Sequence, residues 1–506
     1  MNNIRGGAFL SYIAMFLSSL ISIIYTPLML DYLGKSEFGL YNLVLPIISY
    51  LGLVQLGIGS AYIRWFYKYK VKNDIKSISK LNGTYMLIYF VLSIIVSIGG
   101  FIILSNIRWI LGEKLTVSEI VIAKKLVIIL IINMIVTFIG SPFSAYITAN
   151  ARFIFQKLLG IVTTIITPIF NIIVLLGGFG SIGLAMVTTL VNITSLIVCF
   201  LYCKCNLNFS MDFRNLNISL VKSLFAFSFY IFLNAIIDQI NWSVDKIIIG
   251  RIINTAAVGI YAIASQFNAY YLSFSTNIVN VFTPKINEIV AKEEKDMDWK
   301  LTQLFTKVGR VQFLILALVL SGFILFGNQF IVLWLGEGYR EVYYVTLLLL
   351  IPVTIPCIQN IGIEVQKAKN KHQFRSWLYF FIALFNVIFS IPLCMIFDIT
   401  GCAFGTATAL IIGNGIIMNC YYHYRIGIDI KYFWKRISSM FKGIFLAILI
   451  GSIMSFIPLN NYLSFVFVAL VYTVIYCISA YFLSCNYEEK IIVNQLLKKW
   501  CKRVRI

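Results

Sequence analysis

Long apolar stretches, separated by short polar or basic segments, follow one another along nearly the whole of this 506-residue chain. A bilayer core of about 30 Å takes about 20 helical residues to cross. Runs of that length predict helices near 7–30, 38–63, 81–104, 122–148, 158–179, 181–203, 222–249, 257–283, 303–327, 342–365, 376–398, 401–424, 441–459 and 461–484. The predicted fold class is therefore all-α, a polytopic membrane protein of about 14 transmembrane helices. Every connection is short, the longest being polar stretches such as 284–302. Binding or chemistry is expected inside the helices or at their mouths.

Composition agrees with this pattern. Hydrophobic residues make up 60% of the chain and charged residues 12%, with a mean hydropathy of +0.89, which excludes a soluble globular protein. Arg5 precedes an apolar run to Leu30 that is too long for a signal-peptide core and lacks an Ala-x-Ala site, so it reads as a retained first helix. The net charge of +21 would point to nucleic acid in a soluble protein. With the N-terminus placed inside, 33 of the 41 Lys and Arg fall on the cytoplasmic side. That asymmetry predicts both termini in the cytoplasm and accounts for the charge without a nucleic-acid partner. The ten cysteines lie in apolar helices or cytoplasmic ends and form no Cys-x-x-Cys, so they read as reduced packing residues.

The chain also repeats itself. Phe38-Gly39-Leu40-Tyr41 returns 220 positions on as Val258-Gly259-Ile260-Tyr261, and Ile182-Gly183-Leu184-Ala185 returns as Thr400-Gly401-Cys402-Ala403 at an offset of 218. Phe170-Asn171 and Phe385-Asn386 are 215 apart. Such offsets predict two six-helix lobes in parallel repeat, 1–215 and 216–428, followed by two additional helices and a basic tail at 429–506. Parallel repeats characterise transporters that move two lobes around a central site.

Few motifs promise catalysis. Gly34-Lys35-Ser36 resembles the end of a phosphate-binding loop, but Met29 stands where its first glycine belongs. His372 and His423 are the only histidines, so neither a histidine-based catalytic set nor a metal site is expected, and no cofactor is expected. A membrane polymerase or glycosyltransferase would bring a sizeable extracytoplasmic loop, which the spacing of the helices leaves no room for.

Polar side chains within the membrane are costly unless they face protein or water. Asn234, Asp238, Asn241 and Asp245 recur at i, i+4, i+7 and i+11 on one face of the seventh helix, with Lys246 next. They read either as interhelical hydrogen bonds or as a lumen wall in which Asp238 binds a coupling proton or cation and Asp245 gates. The eighth helix carries Gln266, Ser273, Asn277 and Asn280, and the fourth Asn133, Thr137, Ser144 and Thr148, stripes that suit either a glycan path or helix-to-helix contact. Arg64 follows the small residues Gly57, Gly59 and Ser60 at the inner end of the second helix. It could clamp a phosphate or simply anchor the helix at the headgroups, and Arg5, Lys68 and Arg310 carry the same two readings. Glu364 reads as a gate partner or an interfacial residue, and Pro27 as a hinge.

The segment LGKSEFGLYNLVLPIISYLGLVQLGIGSAYIRW resembles the helix 1 to helix 2 signature of polysaccharide-biosynthesis flippases, the Wzx-type lipid-linked oligosaccharide translocases. Their superfamily also holds the multidrug and toxin extruders and the flippases of lipid-linked peptidoglycan precursors. NWSVDKIIIGRIINTAAVGIYAIASQF is similar to the family's helix 7 to helix 8 signature. The resemblance implies a bacterial cytoplasmic membrane protein, not an enzyme, that carries an undecaprenyl-pyrophosphate-linked glycan from the inner to the outer leaflet, often with ion coupling. In that picture Arg64 helps receive the pyrophosphate, and Asp238, Asp245 and Lys246 line or gate the lumen. Membrane lipids, a polysaccharide polymerase and export machinery are the implied partners. A multidrug extruder of the same fold is the alternative.

Overall fold

The computed structural model describes residues 2–55, 58–214, 218–292, 294–371, 373–459, 461–491 and 494–495, and the side chains of these outside 2–16, 60, 218–231, 233–234 and 280. Among them there are helices and no strand. In chain order these are α1 (Asn2–Gly52), α2 (Ile58–Lys70), α3 (Ile75–Ser105), α4 (Ile107–Leu111), α5 (Val117–Ala149), α6 (Phe153–Leu176), α7 (Gly180–Asn206), α8 (Ile218–Ile252) and α9 (Thr255–Ala291). There follow α10 (Met297–Leu335), α11 (Glu341–Ile358), α12 (Ile361–Ala368), α13 (Gln373–Leu410), α14 (Met418–Tyr421), α15 (Ile430–Ser438), α16 (Phe441–Met454) and α17 (Tyr462–Ser479).

Each of the fourteen expected spans falls on helical residues, but 38–63 is divided between α1 and α2, 342–365 between α11 and α12, and 401–424 runs from the end of α13 through α14. Ten stretches of the described residues are long and apolar enough to cross a bilayer. Two of these hold a pair of expected spans each, because the helix runs on through a kink instead of stopping. Gly34, at φ 70°, bends α1 within the polar turn that separates the first two spans, and Phe397 with Asp398 breaks α13. Large apolar side chains such as Phe456, Leu463 and Ile453 lie exposed, as lipid contact requires.

The chain forms two compact units, Met1–Ala262 with Ile391–Cys402, and Ile263–Ser390 with Ala403–Ile506. In the first, α3, α5 and α7 pack side by side and α1 lies along α6. Lipid tails are as apolar as leucine, so small residues and polar bonds must supply the cohesion. Glu37, just past the kink of α1, accepts from the backbone N–H and the hydroxyl of Ser181, both at 2.7 Å. A carboxylate thereby meets the open N–H groups at the start of α7. Thr116 and Glu119 form a reciprocal capping box at the start of α5, and the same Glu119 accepts from the Thr255 hydroxyl at 2.5 Å.

The repeated motif packs on itself. A side chain at Gly39 would run into the carbonyl of Thr255, and one at Gly259 would stand 3.0 Å from the Lys35 carbonyl and 3.5 Å from Gly39 Cα. Both copies need glycine because each is the other's neighbour. The second pair of glycines serves a different contact: Gly183 closes on Val174 and Phe179 before it, and Gly401 on Leu393 and Cys394 before it.

In the second unit α16 and α17 pack against α10. Tyr472 donates to Ser321 at 2.7 Å and meets Phe326 edge-on, and Tyr476 donates to the Leu314 carbonyl at 2.8 Å. Two π-helical turns, Ile411–Ile417 and Tyr422–Ile426, flank α14. Wider turns loosen the carbonyl ladder. Asn419 compensates, donating to the carbonyls of Asn414 at 2.9 Å and Gly415 at 2.7 Å.

Candidate functional site

In the first unit the expected second span does not run through as one helix: α1 ends at Gly52, a 3₁₀ turn covers Leu53–Gln55, and α2 begins at Ile58. Gly57 lies outside the described residues. Ile58, Ala61, Tyr62 and Phe66 recur at helical spacing and are almost fully buried. Tyr62 donates to Asn82 at 2.6 Å and its ring centroid lies 4.5 Å from that of Tyr85, and Phe66 meets Tyr146 edge-on at 5.6 Å. This aromatic bed fixes the orientation of α2. The opposite face carries Arg64 and Lys68 one turn apart, both exposed, with the Lys68 amine 4.4 Å over the Trp65 ring. A planar guanidinium held in that way can give two parallel hydrogen bonds to one phosphate.

α2 packs against α8. Along α8 the expected stripe grades from open to closed. Asp238 is exposed, Asn241 is buried and donates to its own helix at Ile237 O at 3.0 Å, and Asp245 is only 2% exposed. The side chain of Asn234 lies outside the described residues. Asp245 accepts a hydrogen bond from the Tyr261 hydroxyl, and the Cys402 thiol lies 4.0 Å from the Asp245 carbonyl. Lys246 is half-buried. Tyr261 was not foreseen as part of this site. Its only signal in the sequence was its place as the last residue of the repeated Gly-x-Tyr motif.

Three further expected residues belong to the second unit, and each has a local partner. Gln266 donates to the Tyr270 hydroxyl at 2.8 Å, Asn277 to the Ser273 carbonyl at 2.8 Å, and Glu364 pairs with Lys367 at 2.6 Å. In the first unit Asn133, of the stripe on the fourth expected span, accepts from Asn192 at 2.7 Å and so joins α5 to α7. Pro27 sits within α1, whose non-helical residue is Gly34.

Arg310 has surroundings that the sequence did not disclose. It is 3% exposed. Its Nε donates to Glu489 Oε1 at 2.7 Å, its Nη2 to Glu489 Oε2 at 2.8 Å and to Ser484 O at 2.9 Å, and its Nη1 to Arg436 O at 2.6 Å. The guanidinium thus ties α10 to α15 and to the segment after α17. Nearby exposed groups form looser pairs: Glu288 takes Lys292 at 2.8 Å and Lys285 at 2.9 Å, which hold its carboxyl down at about 2. Among the described residues no three His, Cys, Asp or Glu converge to hold a metal ion, and the nine cysteines there are free.

Residues 32–344 match the family described as "Polysaccharide biosynthesis protein". The chain belongs to that family. It is 22% identical over 508 residues to a Bacillus subtilis (strain 168) protein described as "Uncharacterized membrane protein EpsK", with 96% of each chain covered. Among solved structures its fold is similar to that of the lipid II flippase MurJ in an inward closed conformation, at a TM-score of 0.70 and 16% identity over 97% of this chain and 100% of the other. It is also similar to an inward-facing multidrug resistance MATE family transporter, at 0.61 and 12% over 84% and 99%. This family member is accordingly a multi-pass membrane protein with the fold shared by that flippase and the MATE transporters.

Proposed function

We propose that this protein carries a lipid-linked oligosaccharide, with a pyrophosphate at its head, from the inner to the outer leaflet of the bacterial cytoplasmic membrane, without covalent chemistry. The observation that carries the reading is the basic strip of α2, where Arg64 and Lys68 stand exposed on a helix anchored by aromatic packing. The physical problem is to take phosphates and sugars through about 30 Å of hydrocarbon. A cationic, hydrated lumen opened to one side at a time lowers that barrier.

In this reading the lobes 1–215 and 216–428 move about the lumen, with both termini in the cytoplasm. Arg64 and Lys246 attract the pyrophosphate, and Asn234, Asn241, Gln266 and Asn277 contact sugars. Asp238 carries a coupling ion, Asp245 and Glu364 gate, and Pro27 hinges. A polysaccharide polymerase and export machinery take the product onward. The glycine crossing of the repeated motif must part whenever its end of the lumen opens.

The decisive experiment is a clean deletion in a strain that retains its glycosyltransferases. Lipid-linked repeat units should accumulate facing the cytoplasm, and normal surface glycan would sink the proposal. Full retention of the ion-gradient dependence of transport in Asp238→Asn would remove that residue as the coupling site. Likeness to MATE transporters favours one second reading, an extruder of amphipathic cations. It predicts dye hypersensitivity with unaltered glycan in the same deletion strain.

A further inference from the structure

The first unit holds a cavity of about 770 Å³ that none of the expected site residues lines. Its walls are apolar where Ile247 of α8 and Ile391 and Met395 of α13 face it, and its rim bears Lys114, Arg251 and Asp398. The rim is set by backbone. Gly112, at φ +101°, lets the connection between α4 and α5 lie against Arg251, where a Cβ would stand 2.9 Å from the Arg251 Cα. Two residues on, the Lys114 amine donates to the Ile252 carbonyl, one of those left open at the end of α8. The Arg251 guanidinium lies 5.3 Å from the centre of the Trp109 ring. Asp398 takes a left-handed conformation where α13 breaks, and so leaves the helix ladder at the cavity edge.

Trp109 is 69% exposed and Met395 66%. An exposed tryptophan beside basic groups marks headgroup depth, and the exposed methionine beside the break marks hydrocarbon. The cavity therefore spans both zones. Two cations and one carboxylate give its rim a net charge of +1, which matches a single phosphodiester. A pyrophosphate would press a second negative charge toward Asp398, whereas a hydroxylated headgroup would offer that carboxylate a donor.

We propose that this cavity seats a membrane phospholipid with a hydroxylated headgroup, such as phosphatidylglycerol. Its phosphate lies between Lys114 and Arg251, its headgroup hydroxyl donates to Asp398, and an acyl chain runs along Ile391 and Met395. The site is separate from the transport reading and stands whether or not that reading holds.

The test is lipid binding to the purified full-length protein, followed by native mass spectrometry with phosphatidylglycerol, phosphatidylcholine and undecaprenyl diphosphate as probes. Phosphatidylglycerol should bind more tightly than phosphatidylcholine. Lys114→Gln and Arg251→Gln should each weaken it about fivefold, the usual worth of one basic group at a membrane surface. Asp398→Asn should reduce the preference for phosphatidylglycerol over phosphatidylmethanol, which lacks the hydroxyls. Unchanged phosphatidylglycerol binding in the double variant overturns the proposal. So does preferential capture of undecaprenyl diphosphate that the double variant loses, which gives the cavity to the carrier lipid. If the variants fail to fold, photocrosslinking of labelled phosphatidylglycerol to the wild type decides: labelling of the 391–398 peptide supports the site, and its absence refutes it.

Discussion

Arg64 and Arg310 look alike in the sequence, each a basic residue at the end of an apolar run, yet they are opposites in the structure. Arg310 directs its donors to one carboxylate and two carbonyls and is closed to water. Arg64 stands exposed on a helix whose other face does all the packing. The positive-inside pattern places both at an interface and says nothing about which is buried. What separates them is a distant glutamate: Glu489 lies 179 positions from Arg310.

The contrast breaks most readily at the buried pair. Arg310→Ala leaves the Glu489 carboxylate buried without its partner and should lower stability by about 3–5 kcal/mol, read as a fall in the melting temperature of the purified protein. The double replacement Arg310→Met with Glu489→Leu should recover most of that loss, because apolar pairs of similar volume often replace buried ions without cost. If the single and double variants melt together, the pair is not what holds α10 to the last segment.

A smaller effect is expected at Asp245, a buried carboxylate that accepts a hydrogen bond from the Tyr261 hydroxyl. Tyr261→Phe deletes one hydrogen bond to a charged acceptor and should cost about 1.5–3 kcal/mol in the same melt. For Arg64→Ala and Arg64→Lys the stability change should stay within about 0.5 kcal/mol, as for other exposed sites. Export should nevertheless fall, and lysine should rescue only in part since it lacks the planar fork. Normal export in both variants at normal abundance would falsify the phosphate role.

The smallest effect concerns Glu288. Two lysines depress its carboxyl to about 2 from an ordinary value of 4.5. Its contribution to stability is therefore complete above the unfolded value and fades as pH falls from about 4.5 toward 2. The group is exposed at the surface, so Glu288→Gln should leave the melting temperature at pH 7 nearly unchanged and shift only the acid limb.

Much of the architecture was legible. Hydropathy placed every expected span on helical residues, because a bilayer imposes both length and composition on what crosses it. It could not tell a loop from a kink, as at Gly34 and Asp398, because one deviant residue barely alters an apolar window. The site was less legible. Helical spacing put Asp238, Asn241 and Asp245 on one face, but their burial depends on what packs there, and the hydroxyl that meets Asp245 comes from the following helix. Residues that bond within their own helix, such as Asn277, look the same in sequence as residues that reach across, such as Asn133.

The glycine crossing bears on how the chain is made. Gly39 meets a neighbourhood that is synthesised 220 residues later, and the first unit also takes in Ile391–Cys402. At 5–20 residues per second a ribosome needs about 10–40 seconds to bring Gly259 to Gly39. Through that interval the polar turn within α1 has no docking partner from α9, and the first unit stays unfinished until Cys402 has been made.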